Sequence, residues 1–266
     1  MWRFVALFIA LVAGIGVAVW YYRSPDAVSA VRVTRTDDRW IDGLQSRTPK
    51  EAEAATAELE QRGTTALPVI RKTLQDAGAD PARRKAALKA CVVLGARAAE
   101  AIPDVAALLP DAEYTTEAAL ALSFMGSAAV RPLREAAQSE HASVRREALR
   151  SLGKLRERAS IDPQLVVPLL LKALDDGDPP VRHVAVTYLG IVRDNPQTEI
   201  PGLIRALEDE EADVREAAAV ALGQYGALAD QAVPALRKAA RDSDEEVRRE
   251  AGRALVTIAE KKKPAA

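Results

Sequence analysis

The 266-residue chain contains only two histidines and one cysteine. A single cysteine, Cys91, rules out an intramolecular disulfide and a CxxC pair. It lies in the apolar stretch Ala90-Cys91-Val92-Val93-Leu94 and reads as a small buried residue, not a nucleophile. The histidines, His141 and His183, belong to no His-Glu pair and no HExxH. Gly-rich phosphate loops and Gly-x-Ser-x-Gly are also missing, so the sequence offers no catalytic, cofactor, metal or small-molecule site. Aromatics make up 4% of the chain, which disfavours a β-rich fold and suits helices built from alanine and leucine. Net charge is −1, and the first 46 residues hold five Arg and four Asp, so the remainder is near neutral too. That balance argues against a nucleic-acid binder.

What the chain has is a repeat. Val181-Arg182, Ala185 and Leu189-Gly190 return 33 residues later as Val214-Arg215, Ala218 and Leu222-Gly223. After a second step of 33 they return as Val247-Arg248, Ala251 and Leu255-Val256. A fixed period of this size marks a repeat architecture. Apolar residues four apart share one helix face, so each copy predicts a helix A, which the glycine after the leucine is expected to end. A proline then opens a second apolar helix, B. The central alanines are Ala55, Ala90, Ala121, Ala148, Ala185, Ala218 and Ala251; the B prolines are Pro68, Pro103, Pro132, Pro168, Pro201 and Pro234. The sequence therefore predicts an all-α solenoid over 47–260, six helix pairs plus a closing helix, with a polar tail at 261–266. The third unit is short, and the fourth carries extra residues between Ala159 and Pro163.

Ahead of the repeats, residues 4–20 (FVALFIALVAGIGVAVW) form a run without a charge. With Trp2 at one end and Trp20-Tyr21-Tyr22 at the other, the run is long enough to span a bilayer core of about 30 Å. The sequence predicts an N-terminal transmembrane anchor over 1–23, and a single-pass membrane protein. A cleaved signal peptide is the alternative, with Val28-Ser29-Ala30 as a small-residue cleavage site. Arg3 favours an inside N-terminus; Arg23, Arg32, Arg35 and Arg39 oppose it. Short N-terminal anchors more often export the domain attached to them, so an extracytoplasmic repeat domain is expected. Residues 24–46 read as a linker and capping segment in which Trp40 and Ile41 cover the open end of the first repeat.

The consensus Asp-x-x-Val-Arg-x-x-Ala-x-x-x-Leu-Gly, followed by Ala-x-Pro-x-Leu, resembles the HEAT repeat, and more closely the short HEAT-like units first named from phycobilin lyases. A tetratricopeptide unit would carry its proline at the end of helix B, and an ankyrin unit would show Thr-Pro-Leu-His. The resemblance covers residues 47–260. It implies an armadillo/HEAT-type superhelix with helix B on the concave surface. It also implies a structural ladder joining the Val-Arg arginines (Arg145, Arg182, Arg215, Arg248) to the acids just upstream of them, Asp178, Glu211 and Asp244. One HEAT-like enzyme, deoxyhypusine hydroxylase, holds a di-iron centre on repeated His-Glu pairs, which this chain lacks.

The directional feature is on helix B. Four residues after the proline stand Lys72, Lys172, Arg205 and Lys238, with Ala107 and Ala136 interrupting the row. The row reads either as solvated lysine on an exposed face or as a broken basic stripe that receives an acidic segment of a partner. The function expected is a non-catalytic, membrane-tethered scaffold that binds a protein on its concave face. The alternative is an enzyme-associated member of the repeat group, lyase-like or hydroxylase-like.

Overall fold

The computed structural model describes residues 38–159 and 161–261. The expected anchor at 4–20, the linker up to residue 37 and the tail at 262–266 lie outside the described residues. Among the described residues no helix is long and apolar enough to cross a membrane. The chain divides after Arg39, and the repeats lie in the unit that begins at Trp40.

That unit is all-helical; no strand occurs among the described residues. A short helix, α1 (Trp40–Gly43), comes first. The A helices are α2 (Pro49–Arg62), α4 (Pro81–Leu94), α6 (Thr115–Leu122), α8 (Ala142–Arg158), α10 (Pro179–Val192), α12 (Ala212–Tyr225) and α14 (Glu245–Lys261). The B helices between them are α3 (Leu67–Gln75), α5 (Ile102–Ala106), α7 (Val130–Ala136), α9 (Val167–Ala173), α11 (Pro196–Ala206) and α13 (Val233–Ala239). Successive A helices pack side by side in one continuous layer, and each B helix packs chiefly on the A helix that comes after it. The result is an α-solenoid.

The repeated letters build this directly. The central alanine of every A helix is buried, and so is the leucine or methionine four residues on, from Leu59 to Leu222. Alanine lets neighbouring helices approach, and leucine fills the space between layers. In α14 the corresponding Leu255 is only partly buried. At the other end Trp40, Ile41 and Leu44 are buried against α2 and α4. Arg83 pairs with Asp42 at 2.6 Å, and Lys89 donates to the Leu44 carbonyl at 2.7 Å, tying this segment to α4.

Two expectations are corrected. The glycine after the leucine ends α4, where Gly95 takes φ 56°, but Gly190 and Gly223 lie inside α10 and α12. Those helices end instead at Arg193, in the left-handed region at φ 45°, and at Gly226, φ 58°. The internal glycines serve helix contact. A Cβ on Gly190 would sit 2.8 Å from the Ala221 Cβ, and one on Gly153 would lie 2.1 Å from the Tyr188 ring. The repeated glycine is thus where the next A helix closes in. Secondly, Pro201 does not open its B helix: α11 begins at Pro196, and Pro201 falls inside it. Asn195-Pro196 supplies the start, since proline in the first helical position forgoes an N–H that would be unsatisfied anyway. The early start buries Glu199 completely. Its carboxylate accepts the Asn195 N–H at 3.1 Å and the Tyr225 hydroxyl, which also lies 3.1 Å from the Leu189 carbonyl. Burial, and then the bond to Glu199, push the Tyr225 hydroxyl's pKa upward.

Replacing Gly190 by alanine will destabilise the domain by about 1–3 kcal/mol, the usual cost of overpacking. Gly252 of α14 has nothing within 4 Å of an added Cβ. Gly252→Ala will therefore stabilise by about 0.5–1 kcal/mol, the helix-propensity gain. Denaturant melts of the two variants check the contrast, and equal effects would contradict the contact assigned to Gly190.

Candidate functional site

The described residues carry two recurring polar constructions: one at the turns between units, the other on the B helices. Each turn into an A helix is closed by a side-chain oxygen that accepts the N–H two residues on. Ser46, Asp76, Asp111, Ser139, Asp176, Asp209 and Asp242 do this at 2.9–3.2 Å. Short polar side chains favour this turn because they replace a backbone acceptor.

Arginines then join one turn to the next. Arg145 grips Asp176 through Nε and Nη2 at 2.8 and 2.6 Å. Arg182 holds Asp209 at 2.8 Å through both nitrogens, and Arg215 holds Asp242 at 2.9 Å. The remaining nitrogen, Nη1, donates backwards to the arginine's own turn: Arg145 to the Ser139 and Glu140 carbonyls, Arg182 to Asp176, Arg215 to Asp209 and Glu210. The planar guanidinium suits this double duty because its donors are fixed in one fork. The Arg182–Asp209 pair is the most enclosed, with side chains 9% and 11% exposed. The arginine hydrogen bond holds Asp176 below its ordinary value and Asp242 down to about 2. Burial, the largest single influence, pushes Asp209 upward, but the Arg182 bond, the Glu211 N–H and the nearby charges of Arg182 and Arg215 together outweigh it and the net shift is downward.

The expected ladder therefore exists, with different acids. Asp178 and Asp244 do not pair with the arginines; their carboxylates cap helices, Asp178 accepting the Val181 N–H and Asp244 the Glu246 and Val247 N–H groups. Glu211 occupies the same capping position without a side-chain cap bond. The gripping aspartates stand two residues earlier, six before the next arginine, a spacing present in the sequence as Asp176/Arg182, Asp209/Arg215 and Asp242/Arg248.

On the B helices, Lys72, Lys172, Arg205 and Lys238 are all exposed and lie on α3, α9, α11 and α13 in the same register. Lys238 pairs with Glu208 at 2.6 Å on an open surface. Lys172 lines a groove of about 260 Å³ with Leu169, Arg145 and Asp176. His141 and His183 are exposed, each near the start of an A helix. Cys91 is fully buried, and burial pushes its thiol up to about 12, so it is not a nucleophile at neutral pH. A carboxylate trio that no sequence motif marks, Glu216, Glu246 and Glu250, comes within 4.8 Å between α12 and α14. Arg249 and Arg253 supply its countercharge.

Asp242 provides a pH test. Its folded pKa of about 2 lies below the unfolded aspartate value of about 3.9. Its contribution to stability is present above that unfolded value and is lost as pH falls from about 4 towards 2. Urea melts across this window will show the wild-type chain losing stability more steeply than Asp242→Asn. Parallel slopes would mean the ladder bond does not favour the ionised carboxylate.

The HEAT repeats family model matches residues 132–223 and again 167–256. Comparison with curated proteins gives no match. Among solved structures the chain is similar to YibA of E. coli, at 16% identity and TM-score 0.55, covering 88% of this chain and 87% of that one. It is also similar to an engineered protein, structural-genomics target OR497, at 21% identity and TM-score 0.51, covering 88% of this chain and 71% of that one. The complex of CpcE and CpcF of phycocyanin lyase from Nostoc sp. PCC7120 matches at 24% identity and TM-score 0.49, covering 58% of this chain and 98% of that one. At such identities the first two likenesses speak for the fold alone. The repeat consensus, the helix-pair stack and the family match agree over residues 132–256, which are HEAT repeats.

Proposed function

We propose that the protein is a non-catalytic scaffold that receives an acidic segment of a partner protein on its B-helix face. The observation that carries this reading is the state of the charges. Lys72, Lys172 and Arg205 are exposed in one register and make no ion pair among the described residues, whereas the turn arginines Arg145, Arg182 and Arg215 are committed to internal aspartates. Paired charges hold the stack; unpaired ones remain for a ligand. A stacked repeat supplies an extended surface suited to such a segment. The 17-residue apolar run at 4–20, with aromatic residues at both ends, supports a single-pass anchor that holds this scaffold at a membrane; the extracytoplasmic side is proposed because short N-terminal anchors more often export the domain attached to them.

Two measurements test the reading. Charge reversal of Lys172, Arg205 and Lys238 to glutamate will abolish capture of an acidic partner peptide while leaving the melting transition nearly unchanged, because exposed substitutions usually cost within about 0.5 kcal/mol each. Capture by the unaltered protein will weaken as salt rises. Equal capture by both folded proteins would place the partner elsewhere. For the anchor, the intact chain will stay with membranes after alkaline extraction with residue 4 still attached. Mature chains beginning at Val31 in the soluble fraction would identify a cleaved signal instead.

A further inference from the structure

The arginine ladder has an open rung. In α14, Arg248 repeats the backward half of the motif: its Nη1 donates to the carbonyls of Asp242 and Ser243, both at 2.7 Å. The forward half is different. The Nε and Nη2 edge that in Arg145, Arg182 and Arg215 closes on the next aspartate meets no carboxylate among the described residues. Because a guanidinium is planar, fixing Nη1 fixes the direction of the opposite edge, so this fork is aimed and, among the described residues, unfilled. Three filled rungs show what such a fork takes: the carboxylate of an aspartate-closed turn that opens a helix, held bidentately at 2.6–2.9 Å. The ground beside it is also available. Leu255 is only partly buried, Val256 is 56% exposed, and Gly252 borders open space.

We infer that Arg248 is a docking socket for a separate helical polypeptide, whose opening turn presents an aspartate and stacks on α14 as one repeat stacks on the next. This surface is distinct from the B-helix stripe, and the inference does not rest on that reading. It also constrains the partner. Val256 stands where Gly153, Gly190 and Gly223 let the following A helix close in, so the docking helix carries a glycine opposite Val256.

The chain itself supplies a probe. A side-chain-stapled peptide of residues 201–225 contains the Asp209 turn and the helix after it, and Ala221→Gly makes room for Val256. The full chain is titrated with this peptide and with its Asp209→Asn form, and the same is done with the Arg248→Lys chain, which keeps the charge and loses the fork. The Arg248 side-chain Nε–H is followed by NMR alongside those of Arg145, Arg182 and Arg215. The expected result is binding that falls at least about tenfold on either change, with no further loss when the two are combined, as for a single charged hydrogen-bonded pair. The Arg248 Nε–H then becomes protected from exchange only when the peptide is added. Binding that survives Arg248→Lys, or no binding by a peptide shown to be helical, overturns the inference. So does an Arg248 Nε–H already protected in the free chain, since the chain would then fill its own socket.

Discussion

The bidentate arginine–aspartate bond between consecutive turns is the constraint on which the C-terminal half of the solenoid depends. It fixes one unit against the next at the edge of the stack, on top of the apolar contacts between A helices. Its geometry survives a change in length. The fourth unit is longer than the fifth by four residues, judged from Ala148, Ala185 and Ala218, and the Arg145–Asp176 separation exceeds that of Arg182–Asp209 by the same four. The extra residues therefore fall between the arginine and the next turn, at 159–163, and the rung closes as the others do. A pair this enclosed is poor evidence for large net stability, because its Coulomb gain is offset by desolvation. Its contribution is positional: an arginine bonded to two turns at once cannot slide, and losing its aspartate strands a partly buried charge.

The N-terminal units show what happens where the rung is absent. Arg84 is buried and donates to the Asp76 carbonyl, but its guanidinium lies over the Tyr114 ring, 5.2 Å from the centroid, instead of meeting a carboxylate. A cation over an aromatic face recovers part of the lost attraction without a charged partner. In the third unit Thr115 stands at the Val-Arg opening, and its hydroxyl donates to the Leu109 and Asp111 carbonyls, closing the turn on itself. Cross-links between units move to other places: Arg71 to Asp104 at 2.6 Å between B helices, and Lys85 to Glu117 at 3.4 Å between A helices. The buried alanine and leucine columns run through these units without interruption. Apolar packing thus continues the stack by itself, and the ladder is an added restraint present in the half that the family model matches.

The fold was legible because its signal is periodic and local. Alanine and leucine four residues apart mark one helix face, and the recurrence of that face marks the stack. The misreading of the acids turned on a contact the local sequence does not contain; those of the glycine and the proline turned on spacing and on a nearer helix start. Gly190 and Gly95 are the same letter in the same motif. One faces Ala221 of the next unit and the other takes a positive φ; Gly190 stands eight residues after Arg182, whereas Gly95 stands eleven after Arg84, as Gly226 does after Arg215. Asp176 and Asp178 are both acidic and both upstream of Arg182. The nearer one is taken by the helix N-terminus and the farther one by the previous unit's arginine. Pro201 matched the column of B-helix prolines, but Asn195-Pro196 had already satisfied the requirements of a helix start. The basic row on the B helices was visible in spacing, whereas the tie between Lys238 and Glu208 was not, because the two residues are 30 apart in sequence.

Near-neutral net charge is weak evidence against recognition by charge in a chain of this kind. Net charge counts every ion, but a partner responds only to those whose field reaches solvent. Asp176, Asp209 and Asp242 are each closed on both sides, by an arginine and by a backbone N–H, so their negative charge is largely spent inside the stack. The arginines that neutralise them are spent with them. Subtracting such pairs leaves the net charge unchanged but alters where the remaining charges lie. On the B-helix face Lys72, Lys172 and Arg205, unpaired among the described residues, stand out, whereas on the A helices the carboxylates Glu246 and Glu250 are met by Arg249 and Arg253. By using arginine and aspartate together at the turns, the internal ladder leaves the exposed B-helix cations as charges whose field reaches solvent while the chain as a whole stays balanced.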